Sequence, residues 1–396
     1  MKAALSTFGM ALLALSATGG SSAEILWTKP ICIEEGRYLA WPTICRRQSG
    51  ELLVVFSGDR ESHTCPYGKV QAIRSTDDGE TWSKPETWVN DILDDRDAGV
   101  IELANGDLVL HYFNGVSFYC LNKDAEPRPE CMAHFGKLPP KLVNETIGHF
   151  IRRSTDGGRS WSDPVRTCGQ TPHGPILLAN GRLMLVGRVQ TWPGEYSPYD
   201  SASLKNAKHE LPVEVSDDGG RTWRVLSRIV PPKDMEAYHE PHAVELPDGK
   251  IVAQFRCHAK GHPLMQCEST DGGRSWTTMH ETGIHGLPPH LIRLADGRLL
   301  TVYAKRGERY APEGETAEIG EYACLSDDGG RTWNVRDEVK LASHFSDDMG
   351  YPASCQLPDG TILTVYYQTR GKGVDVHPRS GMPQTCIWLT KWRCAK

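Results

Sequence analysis

The chain repeats an eight-residue phrase five times, and this repeat limits the folds open to it more than any other feature. Each copy obeys S-x-D-x-G-x-[ST]-W, and the copies lie at 75–82, 154–161, 216–223, 269–276 and 326–333. The Asp can accept backbone N–H bonds and the Gly permits a positive φ, so we interpret each phrase as a turn between two strands. Spacings of 53 to 79 residues indicate one supersecondary unit repeated with loop insertions.

A second repeat interleaves with the first and consists of hairpins whose turns end in Gly. Six of these apolar–turn–apolar segments lie at 42–57, 99–113, 174–188, 241–256, 289–304 and 352–367. Each is followed by a loop, a short strand, a repeated turn and another strand. The pattern predicts an all-β, six-bladed β-propeller over 24–396, with four antiparallel strands per blade. We expect a strand near 25–33 to complete the last blade.

Strand direction predicts which face of the propeller carries the structural turns and which carries the functional residues. If the innermost strand of each blade runs down from the upper face, both sets of turns lie on the lower face. The upper ends of the innermost strands and the loops beside them then surround a central funnel, where we expect the functional residues.

Residues 1–23 resemble a signal peptide, with Lys2, an apolar stretch at 3–15 and small residues at 21–23. We therefore expect a secreted or periplasmic protein without a membrane span. The formal net charge is −6 and no basic run is present, which argues against nucleic acid as a partner. We expect no cofactor and a monomer.

Export would make the 12 cysteines candidates for disulfides. Proximity suggests Cys257 with Cys267 and Cys120 with Cys131, and a Cys32–Cys394 bridge as a clasp on ring closure. The spacings fit no zinc knuckle or ribbon.

Five such phrases on six four-stranded units resemble the Asp boxes of the sialidase (neuraminidase) superfamily. The resemblance covers the chain after the leader and implies site residues. "HEPHAVELPDGKIVAQFRC" (239–257) is similar to the segment that carries a Glu and an Arg, here Glu240 and Arg256. "MGYPASCQLPDGTILTVYY" (349–367) is similar to the segment that carries the nucleophile, here Tyr351.

Two elements depart from that family. "LAWP" (39–42) stands in place of "YRIP", so the first Arg of the family's carboxylate-binding triad is missing and Trp41 lies at that rim. The loop 58–69 places Cys65 where the acid/base Asp aligns. We expect His63 or Asp97 to supply the acid instead.

The chemistry of an acidic sugar explains these residue types. A carboxylate on the anomeric carbon repels an anionic nucleophile, whereas a phenol deprotonated by a nearby Glu is neutral on approach. Tyr351 would attack, Glu240 would take its proton and Arg256 would hold the carboxylate. The upper face also offers candidate substrate-binding residues, namely Arg60, Arg306, His239, His242 and Trp41. The third Arg of the family's triad corresponds to Arg306 or Arg309.

The sequence therefore predicts a secreted, exo-acting glycoside hydrolase of the sialidase type, acting on sialic acid or a related acidic sugar at glycan termini. Its partner would be an acidic oligosaccharide or glycoconjugate. A polysaccharide lyase on uronic-acid glycans and a non-catalytic glycan-binding propeller remain alternatives. We expect no bound metal ion. A metal site formed by His239, His242 and His258 is the alternative.

Overall fold

The computed structural model describes residues 23–63, 65–115, 133–134, 136–191, 208–232, 237–307, 311–312, 315–344, 346–371 and 384–394. Six antiparallel sheets surround a central axis, five with four strands and one, blade three, with a fifth short strand; this confirms the predicted all-β, six-bladed propeller. Most of the predicted signal peptide (1–22) and both Cys120 and Cys131 lie outside the described residues. Within the described part, none of the helices has the length and apolar character needed to cross a bilayer.

The strands follow the chain blade by blade, from the innermost strand outward. Blade one comprises β2 Tyr38–Arg46, β3 Leu52–Arg60, β4 Lys69–Ser75 and β5 Glu86–Val89. Blade two comprises β6 Asp94–Glu102, β7 Leu108–Gly115, β8 Gly148–Ser154 and β9 Val165–Thr167. Blade three comprises β10 Ile176–Leu177, β11 Leu183–Val186, β12 Val189–Thr191, β13 Lys208–Ser216 and β14 Arg224–Ile229. In blade three, β12 follows β11 and pairs with the same neighbour, β13. A short helix, α1 Pro140–Thr146, lies between β7 and β8.

Blades four to six follow the same order. Blade four comprises β15 Tyr238–Glu245, β16 Ile251–Cys257, β17 Met265–Ser269 and β18 His280–Glu281. Blade five comprises β19 Leu287–Arg293, β20 Leu299–Lys305, β21 Gly320–Ser326 and β22 Val339–Ser343. Blade six comprises β23 Gly350–Gln356, β24 Ile362–Thr369, β25 Thr385–Cys394 and, as its outermost strand, β1 Ala23–Cys32. A 3-10 turn, Val335–Asp337, precedes β22.

The first described strand closes the ring, as predicted. β1 pairs antiparallel with β25 and forms the outermost strand of blade six, whose other three strands come from the end of the chain. Thr28 Oγ1 and Thr390 Oγ1 lie 3.0 Å apart across this pairing. Strand pairing therefore joins the two ends of the described chain within one sheet.

The repeated phrases form turns at the lower face and hold the blades together. In the first, Asp77 Oδ1 accepts hydrogen bonds from Ser75 Oγ at 2.8 Å and from Thr81 N–H at 2.9 Å. The tryptophans contact the preceding blade: Trp333 Nε1 donates to Gln266 Oε1 at 2.9 Å, and the Trp161 ring lies 4.9 Å from that of Trp88. The phrases are scaffold.

The predicted disulfide clasp is wrong. Cys394 lies opposite Ala23 and Cys32 lies opposite Ile387, so the two cysteines occupy opposite ends of the β1–β25 pair. At about 3.3 Å per residue this separation is far beyond the reach of a disulfide. Cys267 lies opposite Ala253, which puts Cys257 four positions away along β16. The ten cysteines of the described ranges are all free thiols.

Four buried histidines make the fold sensitive to acid. Burial lowers the pKa of His111 to about 4 and that of His242 to about 3. Burial also holds the pKa values of His173 and His290 well below the usual value. The unfolded chain therefore binds more protons than the native chain between about pH 4 and the ordinary pKa of about 6.5, so stability falls as the pH falls through that window.

We predict that the urea midpoint of unfolding falls from pH 7 to pH 5, and that His111→Gln makes this fall smaller. Each buried histidine can contribute up to about 1.4 kcal/mol per pH unit, because it must lose a proton to fold. Urea titrations of both proteins at pH 7, 6 and 5 measure the slopes. Equal slopes in the two proteins would contradict the assignment.

Candidate functional site

One extra residue interrupts the upper part of the innermost strands. In blade one, three steps from Ala40 to Thr43 oppose only two steps from Ser57 to Val55 on β3. Comparable breaks separate the following residues of four other blades: Arg96/Gly99, His239/His242, Leu287/His290 and Gly350/Ala353. Such β-bulges turn side chains away from the alternating pattern of a regular strand. Each of these five blades thereby aims one upper side chain differently from the strand below it.

Four of these bulges hold a side chain in the left-handed backbone region. Trp41, Asp97, Glu240 and Tyr351 have φ values of 54°, 47°, 45° and 54°. For residues other than glycine this conformation costs on the order of 1–3 kcal/mol and persists only where the surroundings impose it. Three of the four were predicted to be catalytic from the sequence, and the fourth was predicted to bind substrate.

Tyr351, Glu240 and Arg256 meet in the funnel. The Tyr351 hydroxyl donates to Glu240 Oε1 at 2.5 Å. Arg256 Nη1 donates to Glu240 Oε2 at 2.5 Å and lies 3.3 Å from the Tyr351 hydroxyl oxygen. Residues from blades four and six, 95 to 111 positions apart along the chain, thus form one hydrogen-bonded group.

The charges in this group suit a phenol that gives its proton to a carboxylate. Burial alone would raise the pKa of Glu240, but Arg256 and the Tyr351 hydroxyl lower it to about 2, so Glu240 is ionised at neutral pH. Burial and the adjacent Glu240 raise the pKa of Tyr351 well above its usual value. The resting state is therefore a neutral phenol hydrogen-bonded to a carboxylate.

Arg306 supplies a second guanidinium beside the phenol. Its Cζ lies 5.4 Å from the centroid of the Tyr351 ring. Among the described residues its Nε and Nη2 are buried and have no hydrogen-bond partner. A Cβ on Gly350 would lie 2.8 Å from the Ala304 Cβ and 3.2 Å from Arg306 Nη2, so glycine makes room for the guanidinium. The alternative candidate, Arg309, lies outside the described residues.

Asp97 is a buried carboxyl on the same ring. It is 4% exposed, and its Oδ1 has no hydrogen-bond partner in the described chain. Its backbone N–H donates to Ser57 Oγ at 3.0 Å. Burial raises the pKa of Asp97 to about 7; Arg96 opposes that rise and Glu240 adds to it. A large part of Asp97 is therefore protonated at neutral pH.

Arg60 and Trp41 lie inside the protein and not at the mouth of the funnel. Arg60 is fully buried, and its Nη2 donates to Asp94 Oδ2 at 2.8 Å and to the His63 carbonyl at 2.9 Å. Trp41 is 1% exposed, and the Arg96 guanidinium covers its ring at 4.1 Å. Arg60 therefore anchors the loop after β3, and the Trp41 ring is not open for stacking on a sugar.

His63 lies at the rim of the funnel. Its side chain is 43% exposed, and its ring meets the Trp41 ring edge-on at 5.0 Å. Its Nδ1 is 3.0 Å from the Tyr38 hydroxyl and 3.5 Å from Asp348 Oδ1. Burial of this edge, Arg96 and Arg60 lower the pKa of His63, and Asp348 acts in the opposite direction.

His239 and His242 occupy different levels. The His239 ring lies 4.2 Å from that of His258 at the upper end of blade four. His242 is buried below the bulge, where its ring lies 4.3 Å from that of His290 and 5.6 Å from that of His173. Its Nδ1 accepts the Leu291 N–H at 3.0 Å, so its Nε2 carries the hydrogen and offers no lone pair to a metal. The described residues contain no group of three ligands placed to hold a metal ion.

Sequence reasoning missed Tyr38, Arg96, Asp348 and Tyr367 as site residues. Asp348 Oδ1 accepts hydrogen bonds from Tyr38 at 2.7 Å and from Tyr367 at 3.0 Å. The acidic residue three positions before Tyr351 was a usable signal. Nothing in the sequence showed that Tyr38 would reach across to it.

A polar cavity of about 600 Å³ lies on the other face, among the repeated turns. Its charged groups already pair with one another: Arg47 Nη1 contacts Glu51 at 2.7 Å, and Arg74 Nε contacts Glu86 at 2.8 Å. It has no buried group with a perturbed proton affinity comparable to Asp97. We therefore place the candidate site in the upper funnel.

Comparisons with known proteins agree with this architecture. The family described as "BNR repeat-like domain" matches residues 132–365. A sialidase of Micromonospora viridifaciens is 24% identical over 360 residues, covering 82% of this chain and 49% of that protein. This chain thus spans about half the length of that relative.

Solved structures show the same fold at low identity. A Dyadobacter fermentans protein described as of unknown function superposes with a TM-score of 0.71 at 22% identity, covering 95% of this chain and all of that one. The NanB sialidase of Streptococcus pneumoniae gives a TM-score of 0.60 at 14% identity, covering 93% of this chain and 70% of that one. With the matched family, the five turns and the six blades, the chain belongs to the BNR/Asp-box repeat proteins of the sialidase superfamily.

Proposed function

We propose that this protein is a secreted, exo-acting glycoside hydrolase that removes sialic acid or a related acidic sugar from glycan termini. One observation carries the proposal: the Tyr351 hydroxyl bonds to Glu240 at 2.5 Å while Arg256 contacts both residues. This is the arrangement that a neutral nucleophile with an adjacent base requires. The sialidases among its relatives support the substrate class.

In this proposal the two guanidiniums hold the substrate carboxylate. Arg306 has buried nitrogens without a partner in the described chain, and Arg256 has its charge shared with Glu240. A second carboxylate on Arg256 would weaken its pull on Glu240 and raise the pKa of that residue. Because Glu240 then binds a proton more readily, substrate binding itself would prepare the transfer from Tyr351.

The bond changes follow from these positions. The Tyr351 oxygen attacks the anomeric carbon and its proton passes to Glu240 Oε1, while the bond to the leaving oxygen breaks and that oxygen takes a proton from an acid at the site. Water then attacks the same carbon and gives one proton back to that acid, while the bond to Tyr351 breaks and Tyr351 regains its proton from Glu240. His63 and Asp97 are the two candidate acids.

We predict that Tyr351→Phe lowers kcat on 3′-sialyllactose by about 10³-fold or more, since the attacking oxygen is lost. Tyr366→Phe is the matched control, because the Tyr366 hydroxyl bonds to Thr390 within blade six and not to Glu240. Products are identified by mass, and a sugar that has gained water indicates hydrolysis.

Three outcomes contradict the proposed function. A product lighter by one water indicates a lyase. Binding without any product from sialylated or uronic-acid glycans indicates a non-catalytic propeller. Full activity in Tyr351→Phe would exclude Tyr351 as the nucleophile.

We predict that a 2,3-didehydro sialic acid binds about tenfold more weakly at pH 8 than at pH 6. Asp97 loses its proton through about pH 7, and the new negative charge repels the ligand carboxylate. Asp97→Asn stays neutral and should show nearly constant affinity over this range. Calorimetric titration of both proteins at pH 6, 7 and 8 measures the effect; parallel pH profiles would rule out this role for Asp97.

A further inference from the structure

A chain of hydrogen bonds fixes the proton on one nitrogen of His63. Burial tends to raise the pKa of Asp348, but His63, Tyr38 and Arg306 hold it below its usual value, so Asp348 is ionised and can only accept. The Tyr38 hydroxyl donates its single hydrogen to Asp348 Oδ1 at 2.7 Å. The 3.0 Å contact between Tyr38 and His63 Nδ1 therefore needs a hydrogen on Nδ1.

The reverse assignment is unfavourable. If Tyr38 donated to His63, its oxygen would face the Asp348 carboxylate at 2.7 Å with no hydrogen between them. Asp348 Oδ1 also lies 3.5 Å from Nδ1, which favours a hydrogen on that nitrogen. A neutral imidazole carries one N–H, so Nε2 holds the free lone pair.

This arrangement leaves the reactive side of His63 toward solvent. Tyr38 and Asp348 cover the Nδ1 edge, yet 43% of the side chain is exposed. His63 and Tyr351 meet the same Trp41 ring, at 5.0 and 6.3 Å between centroids, both edge-on. A sugar over Tyr351 would therefore present its leaving group near the exposed side of His63.

We propose that His63 is the acid/base of this site and that Tyr38 and Asp348 are its positioning residues. This inference rests on the proposed function. In the first step His63 is an imidazolium, and Nε2–H gives its proton to the leaving oxygen as the anomeric bond breaks. In the second step Nε2 takes a proton from the attacking water, so the protonated ring is restored.

Two physical reasons favour His63 over Asp97 in this role. Water attacks from the side that the leaving group vacated, so one group at the mouth serves both steps. His63 is half-exposed there, whereas Asp97 is 4% exposed beside Glu240. Burial, Arg96 and Arg60 lower the pKa of His63, and the Asp348 charge, which faces the imidazolium, opposes that lowering. The protonated form that the first step needs is therefore favoured by acidic conditions.

The first experiment compares leaving groups. His63→Gln should lose about 10²–10⁴-fold in kcat/KM on 3′-sialyllactose, whose leaving alcohol needs a proton. On the 4-methylumbelliferyl sialoside, whose phenol leaves without one, release of the first equivalent should persist. Because the second step lacks its base, a glycosyl adduct on Tyr351 should accumulate, visible by intact mass, and azide should restore turnover.

Asp97→Asn is the comparison variant for this experiment. If Asp97→Asn shows the selective loss and the azide rescue while His63→Gln does not, Asp97 is the acid/base and the inference is overturned. If His63→Gln loses both substrates equally without an adduct, His63 only binds substrate, which also overturns it. If the unaltered protein releases no sugar from either substrate, the proposed function itself fails.

The second experiment isolates the Asp348 charge. Asp348→Asn keeps the shape and an oxygen that accepts from both tyrosines, but removes the anion that stabilises the imidazolium. The high-pH limb of the kcat/KM profile should move down by about one pH unit. Tyr367→Phe removes a donor to Asp348 without touching His63, and should leave the position of that limb in place. An unmoved limb in Asp348→Asn, or equal movement in both variants, would reduce Asp348 to a structural role.

Discussion

The single extra residue in the innermost strands is the constraint on which this site depends. Side chains alternate along a strand, so one inserted residue resets which of them face the axis. Below the insertion, His173, His242 and His290 pack as a closed layer. Above it, Asp97, Glu240 and Tyr351 adopt the left-handed backbone that the insertion imposes. Four of the five bulges hold a residue in this conformation, which persists because the surrounding packing imposes it.

Electrostatics then determines what such a funnel can accept. Arg256 keeps Glu240 ionised, burial keeps Tyr351 and a large part of Asp97 protonated, and Arg306 adds positive charge beside the phenol. The floor is thus rich in cations and poor in free anions. Ala40 stands where the family pattern has an arginine, and the Arg96 guanidinium from the next blade lies over the ring of the adjacent Trp41. Positive charge in this region comes from a neighbouring strand.

The fold could be predicted because its sequence repeats are regular. Part of the site could not be predicted, because it depends on contacts between residues far apart in the sequence. Six Gly-closed hairpins and five turns predicted the blades, their order and the closing strand. Tyr351, Glu240 and Arg256 were placed by family resemblance, and the structure brings them together. Their charge states, the internal burial of Arg60 and the covered ring of Trp41 depend on packing between blades. The Tyr38–Asp348 contact joins residues 310 positions apart, and no local pattern reports it. The disulfide clasp failed because antiparallel pairing puts the ends of β1 and β25 in opposite order.

The closing strand has a consequence for how the molecule is made. β1 is the first of the described strands to be synthesised, and its partner β25 is the last of them. Thr28 and Thr390, which meet across this pairing, are 362 residues apart in the sequence. Pairings so distant in sequence are slow to form, because a long loop must close first. Among the described blades, the one that carries Tyr351 therefore needs the latest strand of the chain for its completion. The strands of the other five blades all precede that strand, so their sheets can form before the sheet that carries Tyr351 is complete.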